Sequence, residues 1–116
     1  MATAIFRLDE KAAEESAYII NVAFYDEAGS ALTPTSIRWT LCDESGDTVN
    51  SRSDVSETAA DSANIVLNAS DTAIVSGTTN KRIVKLVASY DSATYGNNLI
   101  LNREIEFEIA PLRTVT

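Results

Sequence analysis

A chain of 116 residues with a 45% apolar share is long enough for one hydrophobic core and does not require a second. Nine basic residues against 17 acidic ones leave a net charge of −8, which argues against a duplex nucleic-acid binder, because phosphate contacts need clustered Lys and Arg. The single cysteine rules out an intrachain disulfide, and the lack of histidine removes the commonest general base, metal ligand and triad partner together.

The opening MATAIFRLDEKAAEES has no basic region followed by an apolar run, so no secretory signal is expected. No stretch approaches the roughly 20 apolar residues of a membrane helix. Ala4 to Leu8 reads as a short first strand. The following DEKAAEES has helical composition but is too short to hold a helix unaided, and reads as a loop or a single turn. Residues 1–16 are therefore assigned as an N-terminal strand or arm. In AYIINVAFYD, alternation puts Tyr18, Ile20, Val22 and Phe24 on one face, expected to meet the core, opposite Ile19, Asn21, Ala23 and Tyr25. Gly29 and Pro34 then punctuate a turn. In SIRWTLCD the set Ile37, Trp39 and Leu41 alternates with Arg38, Thr40 and Cys42. Trp39 is expected to anchor the core and Cys42 to point away from it.

DESGDT is a turn signal, with Gly46 available for positive φ. Thr48 to Ser53 is expected to return as a strand. After the polar DVSETAADSA, the run NIVLNA around Ile65, Val66 and Leu67 supplies a fifth strand. The turn-rich corner SDTAIVSGTTN echoes the DTA corner of antibody variable domains. The expected Tyr and Cys do not follow it and Gly77 interrupts the run, so the echo is given little weight. In KRIVKLVASYD, Val84, Leu86, Ala88 and Tyr90 share a face and Lys85 lies on the other. The last strand is expected from near Leu99 to Pro111, which cannot donate to a ladder. About seven strands with turn signals between them, no βα alternation and one central Trp predict an all-β fold. It is read as a single domain over residues 1–116, an antiparallel β-sandwich of immunoglobulin-like type.

Within NREIEFEIAPL, Glu104, Glu106 and Glu108 alternate with Ile105, Phe107 and Ile109. If the last two strands pair with their apolar faces matched, partner numbers have opposite parity, and Lys85 falls on the face of Glu104 and Glu106. Such a stripe is ordinarily a solvated sheet face. Its functional alternative is an acidic docking surface made of Glu104, Glu106, Glu108 and Lys85. Paired-carboxylate catalysis needs a cleft in which burial raises one pKa, and alternate residues of an outer strand offer none.

No metal or other cofactor is expected. Asp26, Glu27, Asp43, Glu44, Asp47 and Asp91 fall in loops where calcium could collect oxygen ligands, but Asp and Gly favour turns for backbone reasons, and DESGDT lacks the spacing of an EF-hand loop. A Ser or Thr nucleophile would need a Lys base beside it, and nothing marks such a pair, so no enzymatic activity is expected. Lys81, Arg82 and Lys85 read as a solvated edge that discourages strand pairing, with docking on an acidic partner as the alternative. Tyr25, Tyr90 and Tyr95 form a sugar-binding platform only if Tyr90 leaves the apolar set.

The order FYDEAGSALTPTSIRWTLCDESGDTVNSRSDV, IVLNASDTAI, LVASYDSATYG, REIEFEIAPL resembles small immunoglobulin-like proteins found among the virion structural proteins of tailed bacteriophages and prophages. The similarity covers Tyr18 to Leu112, and TPTSIRWTLCDESGDTVNSR is its most specific piece. The resemblance implies a non-enzymatic virion component assembled in the host cytoplasm and repeated in a symmetric assembly. Its partners would be other virion proteins: major capsid, neck or, with less support, tail. It implies no direct contact with nucleic acid or membrane. The alternative class is a binding or adhesion module that presents loop residues to a glycan or host-cell surface.

Overall fold

A computed structural model of the chain describes residues 3–8, 12–73 and 80–110. Their elements are all strands: β1 Thr3–Leu8, β2 Ala12–Ala13, β3 Tyr18–Tyr25, β4 Ser36–Cys42, β5 Val55–Glu57, β6 Ser62–Leu67, β7 Lys81–Ser92 and β8 Gly96–Ala110. They make two sheets, ordered β1-β3-β6 and β2-β8-β7-β4-β5. Among the described residues no helix is long and apolar enough to cross a membrane.

The alternation expected in the sequence sorts side chains as the chain pairs. Tyr18, Ile20, Val22 and Phe24 of β3 are buried, as are Ile37, Trp39 and Leu41 of β4, Ile65 and Leu67 of β6, Val84, Leu86, Ala88 and Tyr90 of β7, and Ile105, Phe107 and Ile109 of β8. One core cluster draws on both sheets, with Trp39 at 1% exposure and the Tyr18 and Phe107 rings 5.1 Å apart between centroids. Each such side chain contributes roughly 1.5–3 kcal/mol by leaving water, which is why the two sheets stack with these faces inward.

Two loops are built alike. Asp26-Glu27-Ala28-Gly29-Ser30 and Asp43-Glu44-Ser45-Gly46-Asp47 each begin with an Asp whose carbonyl accepts the Gly N–H at 3.0 Å. In each, the Asp Oδ1 accepts two further backbone N–H groups, from Ala28 and Ser30 or from Ser45 and Asp47. Gly29 and Gly46 close the loops at φ +83° and +88°, a conformation that strains any residue with a Cβ.

Several expectations are corrected. Instead of about seven antiparallel strands, the described residues form six of six residues or more and two short ones, and β2 pairs with β8 in parallel. Ala12–Ala13 thus belongs to a sheet, although its segment reads as loop or turn. Thr48 to Ser53 is not a strand: after one bridge from Thr48 to Cys42, the backbone turns through positive φ at Asn50 and Ser51, and the strand comes later as β5. The last strand starts at Gly96 rather than near Leu99, because β7 and β8 form one hairpin that keeps its pairing through Tyr90↔Leu99 and closes at Ser92↔Gly96. Pro111 and Gly77 lie outside the described residues.

Candidate docking surface

The outer face of the five-stranded sheet is a grid set by register. Glu104 lies across from Lys85, which lies across from Thr40; Asn102 is followed across the sheet by Val87, Arg38 and Ser56; Ile100 is followed by Ser89 and Ser36. Glu104, Glu106, Glu108 and Lys85 are all exposed on it, so the structure brings the four predicted docking residues onto one face. Within that face Val87 is 40% and Ile100 57% exposed, diagonal neighbours that make an apolar patch beside the Lys85–Glu104 row and Arg38. Lys85, Val87, Asn102 and Glu104 also line a shallow depression of about 390 Å³. Ion pairs on this face include Lys81, whose Nζ lies 3.7 Å from Glu106 and 3.9 Å from Glu44, and Arg38 with Asp54 at 2.8 Å. All these side chains are well solvated, so each pair adds only about 0–1 kcal/mol.

Two residues depart from their predicted places on this sheet. Cys42 keeps the outward parity that its strand dictates and stays out of the core cluster, yet it is 2% exposed. The turn after β4 folds back through the Cys42–Thr48 bridge, and Lys81 reaches from Glu44 to Glu106 over the adjoining rows. The thiol lies 3.5 Å from the Ile83 carbonyl, and burial pushes its pKa up, partly offset by Lys85. Arg82 is no solvated edge residue. It is 1% exposed, because β7 lies between β4 and β8 and even-numbered positions of β7 face inward. Its guanidinium donates to the carbonyls of Ala73 and Lys81 at 3.1 and 2.9 Å, and burial lowers its pKa while Asp43 raises it.

The DTA corner matters more than its weak sequence signal suggests. Asp71 and Thr72 are fully buried. Asp71 accepts from the Asn68 N–H and from Asn50 Nδ2, both at 2.8 Å, and lies 3.4 Å from Arg52 Nε. The Arg52 guanidinium sits 4.8 Å from the centroid of Trp39, and it donates to the Val66 carbonyl at 3.1 Å. Trp39 Nε1 donates to Glu57 at 2.8 Å. Thr72 Oγ1 donates to the Ser16 carbonyl at 2.7 Å and accepts the Ser16 N–H at 2.9 Å. The DTA echo was the one available pointer to this network, which holds the segment after β4 against the core.

At the opposite end, Asp26, Glu27, Leu32, Tyr90, Asp91 and Tyr95 line a cleft of about 400 Å³ between the β3–β4 loop and the β7–β8 turn. Tyr95 is 65% exposed and Tyr90 8%. Tyr25 is not part of it, lining a separate depression with Ala31 and Asp61. The loop acids serve their own backbone: besides Asp26 and Asp43, Asp91 Oδ1 accepts the Asn98 N–H at 2.9 Å. Among the described residues no group of three or more acids or cysteines gathers as a metal site. Comparison with family models, curated proteins and solved structures finds no match for this chain.

Proposed function

We propose that this chain is a non-enzymatic structural module of a tailed-phage particle, an immunoglobulin-like sandwich that docks on a capsid or head-tail lattice. The observation that carries the docking part is the outer face of the five-stranded sheet. It is broad, and it sets the apolar pair Val87 and Ile100 next to the Lys85–Glu104 row on one side and Arg38 across the sheet. An apolar centre with a charged rim is the anatomy of a protein interface. Repetition on a lattice makes individually weak contacts avid.

Three features support the immunoglobulin-like part of the reading. The order β1-β3-β6 against β8-β7-β4-β5 corresponds to strands A-B-E facing G-F-C with an added edge strand. Trp39 lies on the strand equivalent to C and is buried. The segment around it, TPTSIRWTLCDESGDTVNSR, also carries the resemblance to phage virion proteins. Quantitative mass spectrometry of purified particles from a phage or prophage that encodes the chain tests the proposal. A fixed ratio to the major capsid protein is expected. Presence in the infected-cell lysate with absence from intact particles overturns it.

One observation favours a second reading, an adhesion module for a glycan: the cleft that sets exposed Tyr95 beside Asp26, Glu27 and Asp91. A ring face flanked by carboxylate acceptors suits a sugar. Glycan-array binding that is lost in Tyr95→Ala would bring this reading ahead of the first.

A further inference from the structure

The β8 strand is fifteen residues long, but its two sides are used unequally. On one side it pairs with β7 from Lys81↔Glu108 to Ser92↔Gly96. On the other, the one described strand that pairs is β2, at Ile109 and Ala110, while β1 of the facing sheet also comes into contact with β8. The direction of the backbone groups follows from two hydrogen bonds. The Ile109 N–H donates to the Asn80 carbonyl at 2.7 Å, so odd-numbered residues of β8 turn their amide and carbonyl toward β7. The Ala110 carbonyl accepts the Glu14 N–H at 2.9 Å, so even-numbered residues turn theirs the other way. Ile100, Asn102, Glu104 and Glu106 therefore present a row of donors and acceptors along an edge that no described strand pairs before Ile109.

We infer that this edge takes an extended segment of a partner protein as an added strand, and that the segment carries basic residues alternating with apolar ones. The inference rests on the docking reading only for the existence of a protein partner. Alternation on β8 specifies the chemistry. A strand laid beside Ile100 to Glu106 has its outward side chains next to Glu104 and Glu106, where Lys or Arg is favoured and Asp or Glu opposed. Past the exposed Arg103, its inward side chains meet Leu99 and Leu101, which are half-buried at the rim of the core, with Leu101 packed against it. Apolar residues there would complete the cover. Parallel pairing by β2 shows that this side of β8 has usable ladder geometry. Acidic residues on an edge also discourage indiscriminate pairing, and a second copy of β8 would bring no outward cation to them, only Ile100, Asn102 and glutamates.

The test uses the full chain and a capped heptapeptide of alternating Lys and Val, followed by amide hydrogen exchange in NMR. Added protection is expected at the amides of Ile100, Asn102, Glu104 and Glu106, and not at the odd-numbered neighbours already bonded to β7. N-methylation of the peptide amides that face β8 should abolish binding. Glu104→Lys with Glu106→Lys should weaken it about tenfold while leaving the fold intact by circular dichroism, and an alternating Glu and Val peptide should not bind. Asn102→Pro, which removes an edge donor without touching the β7 ladder, should weaken it as well. No binding at millimolar peptide, or binding indifferent to N-methylation, overturns the strand-addition proposal without bearing on virion occupancy. Concentration-dependent self-association with the same amides protected would overturn the basic partner in favour of a second copy.

Discussion

Asp71 shows how a single side chain holds a segment with no regular structure of its own. Asn50 and Ser51 both take positive φ, at 54° and 56°, in a conformation unfavourable for residues with a Cβ. The carboxylate of Asp71 binds Asn50 directly and faces Arg52, so the two contacts bracket the strained pair. Its removal leaves the Asn68 amide and the Asn50 amide without their acceptor and Arg52 without its counter-charge. Asp71→Ala should therefore lower stability by on the order of 3 kcal/mol in urea unfolding, whereas Arg38→Ala, which removes only the exposed ion pair with Asp54, should cost under about 1 kcal/mol. Cys42 gives a second expectation. Its thiol is buried and its pKa raised, so the native protein should react with a thiol reagent far more slowly than the urea-unfolded chain at neutral pH. The folded state holds this proton more tightly than the unfolded one. The associated stability is thus complete below the unfolded thiol pKa and is lost as pH rises through the folded value.

At the scale of elements, the two Asp-Glu-x-Gly loops are the joints that set where β3 and β4 turn back. In each, Asp supplies a side-chain acceptor and Gly a positive φ, so acids that resemble loose metal ligands in the sequence are occupied by their own turns. A Cβ at Gly46 would meet nothing within 4 Å, which separates backbone strain from crowding. Gly46→Ala should cost about 1–2 kcal/mol through φ alone, read as a lower urea midpoint with an unchanged m-value. A larger loss, or a changed m-value, would mean that the loop does more than turn the chain. The β7–β8 hairpin is the other joint that matters, since its register carries both the acidic face and the side of β8 that no described strand pairs before Ile109.

For the whole molecule, Trp39 ties together parts that are far apart in sequence. It lies in the core cluster shared by both sheets, donates to Glu57 of β5, and packs under Arg52, which in turn meets Asp71 after β6. As the only tryptophan, it reports on all of them at once. Its emission should be blue-shifted in the native state, and its unfolding transition should coincide with that of far-ultraviolet circular dichroism, as expected of a two-state domain. Trp39→Ala should cost about 3–5 kcal/mol. A fluorescence transition that precedes loss of sheet structure would show that the region around β5 and Asp71 opens before the core.

The faces of β3, β4, β7 and β8 were legible in the sequence because side-chain direction in a strand alternates locally: Phe24, Trp39, Leu86 and Phe107 fall inside by position within their own segments. The same parity placed Lys85 with Glu104 and Glu106 once the hairpin was assumed. Which strands become neighbours is another matter, since order within a sheet depends on contacts between distant segments, and the parallel β2–β8 pair has no local signature. Cys42 obeys its parity and is buried nevertheless, where the turn after its strand folds back through the Cys42–Thr48 bridge. Arg82 sits in a basic cluster whose charge suggests solvent, yet β7 is central and its even positions face inward. The segment from Thr48 to Ser53 reads as a strand returning from the turn and is instead held as a bend by Asp71, some twenty positions away. Alternation is written in each segment by backbone geometry, whereas burial of a polar group, an open sheet edge and a strained bend exist only once the segments have met.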